Sequence, residues 1–569
     1  MQNAKILWVD DEIELLKAHI RFLEKKGFRV NSVSNGVDAL ELIRKEAFDI
    51  VFLDEHMPGM DGLTVLGEIQ KITTNLPVIM ITKSEEEHIM EDAIGSRISD
   101  YLIKPVKPSQ ILIACKKILE NKKLVNQKVN LGYQQEFRNI AMRFFDSQTF
   151  SDWVDIYQKL VFWEGELEQN EDKSMQDVWE AQLSEANTNF CRFVARNYLD
   201  WVNTRDSSKR PLLSPEVMAH SCFPHVGRGY KSVFFILIDC LRYDQWKVME
   251  PILSEYFYIN KEQTYLSILP TATQYARNSI FAGMHPLDIS HRFPRYWKND
   301  SDEGGKNLFE AHLLQEQVSR HRLNVKHSYH KILTKEDGQA VADNIHNLMN
   351  NELNVIVYNF IDLLSHSRTE SNIIRQLAPN EAAYRSISRS WFEFSPLLQM
   401  LRFLSTQNVK VVITTDHGTI RVKRPTKIIG DRNTTTNLRY KQGKNLNYDE
   451  RAKHIFTIRR PKDALLPQMN VSSTYAFAME DYFFAYPNNY NYYVKYYRDT
   501  FQHGGISLEE MMLPIIELNP KSVGGPTPPP KEETQKDNVE NSRSEKFKKK
   551  YGNRSNRKKK NSGGSRWKW

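Results

Sequence analysis

Residues 411–420 read VVITTDHGTI. Val411, Val412, Ile413 and Thr414 are β-branched, as a buried strand prefers, and Asp416 and His417 arrive together where that strand must end. Asp-His-Gly is ordinary turn chemistry. It is also a pairing of oxygen and nitrogen donors of the kind a divalent metal takes. The dipeptide alone leaves both readings open. If the strand is parallel to its neighbours in an open sheet, however, its carboxyl end faces the crevice where such sheets bind ligands.

The pattern recurs on both sides of this stretch. SVFFILID (232–239) runs a strand into Asp239, and NVIVYNFIDLLSH (354–366) carries Asp362 and His366 behind another. YLSILPTATQYARNSIF (265–281) sets Thr271 between a short apolar strand and a helix expected from Thr273 onward. TFQHGGISLEEMMLP (500–514) puts His503 ahead of a further apolar run. Asp239, Asp362, Asp416 and His417 thus fall at or just past strand ends, with His366 and His503 expected in loops close behind. Three carboxylates, three imidazoles and one hydroxyl suffice for two adjacent zinc-like ions with room for a substrate oxygen. Thr271 is the natural nucleophile, because metal coordination lowers a hydroxyl's pKa and a helix N-terminus favours a phosphate anion.

IDCLRYD, LPTATQYAR, D-x-x-x-H, T-D-H-G and Q-H-G-G, in this order, resemble the alkaline phosphatase superfamily and, more narrowly, its PglZ branch, over roughly residues 206–520. The resemblance implies one zinc among Asp239, Thr271, Asp416 and His417, and a second among Asp362, His366 and His503. It also implies phosphoric ester hydrolysis, with threonine-nucleophile members leaning towards diesters. Residues 423–444 carry seven Lys/Arg against one Asp. Arg439 and Lys441, flanking Tyr440, are expected either to hold a nucleotide backbone beside a stacked base or to belong to a solvated basic loop. Arg277 and Asn278 are candidates for gripping phosphoryl oxygens.

The first part of the chain repeats the logic with other residues. KILWV (5–9) leads into Asp10 and Asp11, DIVFL (49–53) into Asp54, PVIMI (77–81) into Thr82, and DYLI (100–103) into Lys104 and Pro105. Helical periodicity fills the gaps, so a doubly wound parallel sheet is expected. Three crowded carboxylates repel one another unless a hard cation such as Mg²⁺ sits among them, bound by Asp10, Asp11 and Asp54. Asp54 would accept a phosphoryl group, with Lys104 neutralising its oxygens and Thr82 donating a hydrogen bond. DEHMPGMDG (54–62) and YLIKP (101–105) resemble the receiver domain of two-component response regulators. That resemblance implies Mg²⁺-dependent phosphorylation of Asp54 by a sensor histidine kinase, a switch through Thr82 and Tyr101, and a cis Lys104–Pro105 bond.

Between the two α/β regions no strand-like alternation occurs. Phe137, Ile140, Ala141 and Phe144, then Trp153, Ile156, Tyr157 and Leu160, then Trp179, Leu183, Ala186, Phe190 and Phe193 give helical stripes, read as a three-helix bundle with aromatic seams. The chain has 569 residues, 40% hydrophobic and 26% charged. Its net charge of +8 is located in the tail: from Lys521 onward fifteen Lys/Arg face five Asp/Glu, which leaves the remainder slightly acidic. That tail lacks the apolar residues to fold and is expected to be disordered. The longest apolar run, VFFILI, is too short to span a bilayer, and MQNAKILWVDDE lacks the features of a signal peptide. Four cysteines without CxxC exclude a disulfide framework or thiolate zinc site, so a cytoplasmic protein without membrane insertion is expected.

The expected architecture is therefore a (βα)5 receiver at 1–122, a helical bundle at 123–205, an alkaline-phosphatase-like α/β domain at 206–520 and a disordered basic tail at 521–569. A receiver joined by helices to a PglZ-like domain resembles the PorX-type response regulators of the Bacteroidetes type IX secretion and gliding system. The partners this implies are a PorY-type sensor kinase, an extracytoplasmic-function sigma factor and a component of the secretion machinery, with homodimerisation on phosphorylation. No helix-turn-helix pattern is evident. The leading expectation is a zinc-dependent phosphodiesterase acting on nucleotides or oligonucleotides; the alternative is a phosphorylation-controlled scaffold, such as a sigma-factor-binding regulator, with a non-catalytic metal domain.

Overall fold

Five short strands open the chain: β1 (Lys5–Val9), β2 (Arg29–Val33), β3 (Ile50–Asp54), β4 (Val78–Thr82) and β5 (Asp100–Ile103). They pair in parallel in the order β2-β1-β3-β4-β5. The apolar runs of β1, β3 and β4 are buried because helices cover a sheet of this kind on both faces. One core cluster joins Leu7, Val51 and Leu53 to Leu40 and Leu66; another joins Trp8, Phe52 and Ile79 to Leu23 and Ile111. The helices Gly36–Lys45 and Gly62–Ile72 start where Asn35 and Asp61 accept hydrogen bonds from Asp38 N and Thr64 N, at 2.9 and 2.7 Å. β2 was absent from the sequence reading; its RVNSV is a polar edge strand with no fully buried residue.

The computed structural model describes residues 4–73, 76–83, 98–147, 149–170, 172–431, 434–449 and 451–522, without the side chains of 120–125, 145, 368–370 and 372. The tail expected to be disordered lies, beyond Ser522, outside the described residues, as does the connection between β4 and β5.

The spacer is helical, as expected, in the helices Pro108–Asp146, Phe150–Gln169 and Gln176–Asn203. The first runs for 39 residues, so the last receiver helix and the first spacer helix are one. Two compact units share these helices: Met1–Asp146 with Gln158–Leu183, and Ser147–Tyr157 with Ser184 onward. In the first unit Tyr133 packs on Trp163 with ring centroids 5.7 Å apart; in the second Trp153 packs on Phe190 and Phe193 at 5.8 and 6.0 Å.

The second unit holds β6 (Ser232–Ile238), β7 (Phe257–Leu266), β8 (His327–Ile332), β9 (Leu353–Tyr358) and β10 (Val409–Thr414). Further along come β11 (Ile420–Arg421), β12 (Arg424–Lys427), β13 (Tyr440–Lys444), β14 (Ile455–Ile458), β15 (Ser473–Ala478), β16 (Tyr482–Ala485), β17 (Phe501–Gln502) and β18 (Met512–Pro520). The main sheet runs β7-β18-β10-β6-β9-β8. β10, β6, β9 and β8 are mutually parallel; at one side β18 pairs antiparallel with β10, and β7 pairs antiparallel with β18. Thr414 pairs with Leu237 and Leu237 with Val357, so Asp239, Asp416 and the start of the helix after β9 share the carboxyl edge.

Two local expectations are corrected. His366 is not in a loop; Asp362 and His366 lie one turn apart on the helix Phe360–Glu370. The basic stretch 423–444 is no solvated loop, because β12 pairs with β16 and β13 joins the sheet β13-β15-β14.

Two candidate metal centres

At the carboxyl edge of the first sheet, Asp10, Asp11 and Asp54 bring ligand oxygens within 4.8 Å of one another. Asp10 and Asp54 are buried, and Lys104 Nζ bridges them at 3.0 and 2.9 Å. Burial, with the neighbouring Asp10 and Asp11, raises the pKa of Asp54 despite the Lys104 ammonium. Burial works against the charge of Lys104, but its bonds to Asp54 and Asp10 outweigh this and raise its pKa. One ammonium for three acids leaves a negative surplus that suits a hard dication. Thr82 lies buried at the end of β4, Tyr101 is partly exposed on β5, and Lys104–Pro105 is cis.

In the second unit the residues singled out from sequence meet as two groups: Asp239 with Asp416 and His417, and Asp362 with His366 and His503. The rings of His417 and His503 stack with centroids 4.2 Å apart, so the two groups adjoin. Within the first, His417 Nε2 stands 3.7 Å from both Asp239 Oδ1 and Asp416 Oδ2. Within the second, Asp362 Oδ1 stands 3.5 Å from His366 Nε2 and 3.7 Å from His503 Nε2. These gaps are long for hydrogen bonds. They are close to the roughly 3.3 Å separating two atoms bound about 2 Å from one tetrahedral zinc.

Tautomers point the same way. His503 Nδ1 faces the carbonyl oxygen of Thr271 at 3.2 Å, and His417 Nδ1 faces that of Gly418 at 3.3 Å. A carbonyl only accepts, so each Nδ1 carries the proton and each Nε2 keeps a lone pair that, with the nearby carboxylate oxygens, is available to a cation, as outer-sphere bonds arrange for metal-binding histidines. Asp239 Oδ1 and Asp362 Oδ1 are buried without a hydrogen-bond partner among the described residues. Burial, with the Asp416 and Asp362 carboxylates, drives the pKa of Asp239 far up. Burial acts on Asp416 too, but the Arg277 guanidinium overcomes it and its pKa falls. Burial beside His417 and His366 holds His503 neutral. These residues fit a pair of dications: orphaned acid oxygens, neutral imidazole lone pairs and ligand-like spacings.

Thr271 is fully buried one residue before the N-cap of the helix Thr273–Ala282. Its Oγ1 donates to Gly505 O at 2.8 Å and accepts from Gly504 N at 3.0 Å, so it is held against the loop that carries His503. That loop needs its glycines: Gly504 has φ +123°, and a Cβ on Gly505 would stand 2.3 Å from Ala478 O. Sequence reading missed Thr273, whose Oγ1 lies 3.0 Å from His417 Nε2; its place two residues after Thr271 was the available signal.

The four expected substrate-binding residues are placed differently from that expectation. Arg277 is fully buried and paired with Asp239, with Asp416 at 2.9 Å and with Glu310 at 3.5 Å, so its donors meet protein carboxylates. Asn278 is buried, with Nδ2 donating to Lys306 O at 3.3 Å. Arg439 pairs with Glu510 at 2.6 Å, and Glu510 accepts from Gly505 N at 2.9 Å, which braces the His503 loop. Lys441 donates to Thr435 O at 2.8 Å and Tyr486 Oη at 3.1 Å, and its burial pulls its pKa down to about 7. Tyr440 is buried and bonded to Asp300 at 3.0 Å, so it stacks no base.

Residues 6–116 match the response regulator receiver domain, 123–202 the PorX response regulator linker domain, and 217–518 the BREX system PglZ alkaline phosphatase-like domain. Curated relatives include the transcriptional regulatory protein ZraR of Klebsiella oxytoca, 32% identical over 22% of this chain and 29% of its own length. The CpxR homolog of Haemophilus influenzae is 32% identical over 25% of this chain and 61% of its own length. SrrA of Staphylococcus aureus is 31% identical over 21% and 48%. The chain therefore spans less than two thirds of the relatives it matches. Among solved structures, a receiver domain protein from Clostridium thermocellum is 32% identical, covering 21% of this chain and 98% of that one, with a TM-score of 0.21. Vibrio cholerae CheY4 is 25% identical, covering 20% and 98%, with a TM-score of 0.20.

The chain belongs to the PglZ alkaline phosphatase-like family, whose domain occupies more than half its length behind a receiver. Receiver, linker and PglZ domain in this order are those of a PorX-type response regulator. Receivers take a phosphoryl group from a donor such as a histidine kinase, and receiver and alkaline-phosphatase-like domains bind divalent metals. Among the described residues no helix is long and apolar enough to cross a membrane.

Proposed function

We propose that this chain is a cytoplasmic response regulator, phosphorylated on Asp54, whose effector is a zinc-dependent phosphodiesterase acting on nucleotides or oligonucleotides. The observation that carries the reading is the convergence of Asp239, Asp416 and His417 with Asp362, His366 and His503 beside a buried threonine hydroxyl. The two zinc ions, when bound, lower the pKa of that hydroxyl and offset the charge growing on the phosphoryl oxygens. Thr271 Oγ1 attacks phosphorus, the Oγ1–P bond forms, the ester bond to the leaving oxygen breaks and the hydroxyl proton passes to that oxygen, so the threonine carries the phosphoryl group with its remaining ester substituent. Water then attacks the same phosphorus, restoring the hydroxyl and releasing the second product. Meanwhile Gly504 N and Gly505 O fix Oγ1, and the His417 and His503 rings are held by their Nδ1 bonds to carbonyls.

In the first unit, Mg²⁺ would screen the incoming phosphoryl group from the three acids. Asp10, Asp11 and Asp54 would hold it, and Lys104 would pair with the phosphoryl oxygens on Asp54. The PorX-type order of domains supports a PorY-type kinase as donor, dimerisation on phosphorylation, and control of type IX secretion through an extracytoplasmic-function sigma factor and contact with the secretion machinery.

The direct test measures zinc content and turnover of bis(4-nitrophenyl) phosphate by the full chain and by Thr271→Ala. About two zinc per chain and a loss of turnover of at least 10³-fold in the variant are expected. Undiminished turnover in Thr271→Ala refutes the mechanism. Full zinc occupancy without turnover in the parent protein favours a scaffold whose metal domain is structural.

A further inference from the structure

Residues 490–497 read YNYYVKYY and form one helix. Its anchoring face is clear: Tyr490, Val494 and Tyr497 pack on the cluster of Ile420, Val422, Phe483 and Ala485. Among the described residues, Tyr492, Tyr493 and Tyr496 lie outside that cluster. Tyr492 is 64% exposed, and Tyr493 and Tyr496 are half-buried. The rings form ladders along the helix: Tyr492 and Tyr496 lie 6.1 Å apart and 14° from parallel, Tyr493 and Tyr497 6.1 Å apart and 12° from parallel.

Cations surround these rings. Lys427 stands 4.8 Å over Tyr490, and Arg375 stands 5.8 Å over Tyr496. Lys495 and Arg498 are exposed on the helix itself, which carries no acid from Tyr490 to Arg498. Asp499, the first acid beyond it, pairs with Arg421 at 3.0 Å.

The helix also adjoins the metal residues along the chain on both sides. β17, which ends one residue before His503, begins four residues after Tyr497 and pairs with β11, three residues after His417. Arg375 sits nine residues beyond His366, on the short helix Asn372–Leu377 that follows the helix of Asp362 and His366. His366 is 57% exposed, so the group of Asp362, His366 and His503 is open to solvent at that residue.

We propose that the tyrosine helix is a stacking platform for a single-stranded nucleic acid: bases lie on the outward Tyr492–Tyr496 ladder, and the exposed Lys427 and Lys495 face its backbone, with the strand leading to the exposed His366. Successive parallel rings with interleaved cations are what sequence-tolerant binding of single strands requires, since every base has a π-face and every linkage a negative charge. The inference rests on the phosphodiesterase reading and adds to it the physical form of the substrate and the residues that select it.

The test compares the full chain with Tyr492→Ala/Tyr496→Ala and with Tyr492→Phe/Tyr496→Phe. Two measurements are made: the ratio of kcat/KM on an oligothymidylate to that on bis(4-nitrophenyl) phosphate, and fluorescence-anisotropy binding of the same oligonucleotide to zinc-loaded Thr271→Ala carrying each pair. The alanine pair should lower the ratio about tenfold or more and weaken binding to a similar degree, as loss of base–aromatic stacking does. The phenylalanine pair should restore both. A fall shared equally by the two substrates, or unchanged oligonucleotide binding, overturns the platform. So does a change confined to the mass of the assembly in sedimentation, which marks a protein-docking face. If the parent protein hydrolyses neither substrate, the phosphodiesterase reading fails, and the anisotropy measurement alone decides the platform.

Discussion

Replacing Arg277 by Met should damage the protein far more without zinc than with it. The guanidinium is fully buried, paired with Asp239 and, at 2.9 Å, with Asp416, both also fully buried, while Glu310 lies 3.5 Å from Nη1. Removing one partner of a buried pair costs about 3–5 kcal/mol, because the other charge is left without compensation. Two pairs break here, but the costs do not add. Asp239, whose pKa burial already raises, can take up a proton and relieve the pocket. At roughly 2–4 °C per kcal/mol, a cost of about 3–5 kcal/mol lowers the Tm of the metal-free protein by about 6–20 °C. Zinc changes this outcome. Bound between the same acids, it supplies the positive charge that Arg277 gave up and should bind the variant more tightly; a ligand at a hundred times Kd adds about 2.7 kcal/mol, and more where Kd is lower at the same concentration. The variant should therefore gain more from zinc than the parent. Scanning calorimetry of the full chain in EDTA and in excess zinc reads both differences. A variant as stable as the parent in EDTA, or one whose zinc-induced rise in Tm is no larger than the parent's, refutes the account of Arg277 as an internal counter-charge. A raised KM with unaltered stability would instead return it to substrate binding.

Gly418→Ala should lose about 1–3 kcal/mol and most of its zinc, because the new Cβ would stand 1.9 Å from the Glu509 backbone oxygen and must push the Asp416–His417 end away from the His503 loop; thermal unfolding and metal analysis check this. Burial holds Lys441 neutral above about pH 7, while in the unfolded chain it keeps its proton to about pH 10.5. Across that window the unfolded state binds more protons, so Lys441 makes stability rise with pH, by about 1–3 kcal/mol between pH 7 and 9. Lys441→Met should remove that rise, which denaturant titrations at the two pH values would detect. Asp54→Asn should abolish incorporation of phosphate from acetyl phosphate with Mg²⁺, and EDTA should do the same to the parent protein; label retained by the variant would place the acceptor elsewhere.

The strands and the acids that follow them at the sheet edge were legible because each signal is local. An apolar run such as SVFFILI needs burial on both faces, and an acid directly after it must sit at the sheet's edge. β2 escaped for the converse reason, since RVNSV at an edge carries no apolar run to read. The D-x-x-x-H spacing did contain the position of His366, because residues four apart share one face of a helix; the loop expectation ignored that period. Arg277 and Arg439 were hardest. An arginine reads as a surface or ligand-gripping residue until its acids are known, and those acids, Asp239, Asp416 and Glu510, come from other parts of the chain. Their burial is a property of the assembled sheet edge and not of any window of sequence. The same limit explains why 423–444 looked like a substrate loop. Arg424, Lys427, Lys441 and Lys444 are strand positions and Arg439 is an interior pair, while the tyrosine-rich surface lies on a helix some fifty residues further along. Wherever Arg277, Arg439 or Lys441 was assigned to substrate from sequence, the structure first required its positive charge or its donors to answer a buried acid, a carbonyl or a hydroxyl of the protein itself.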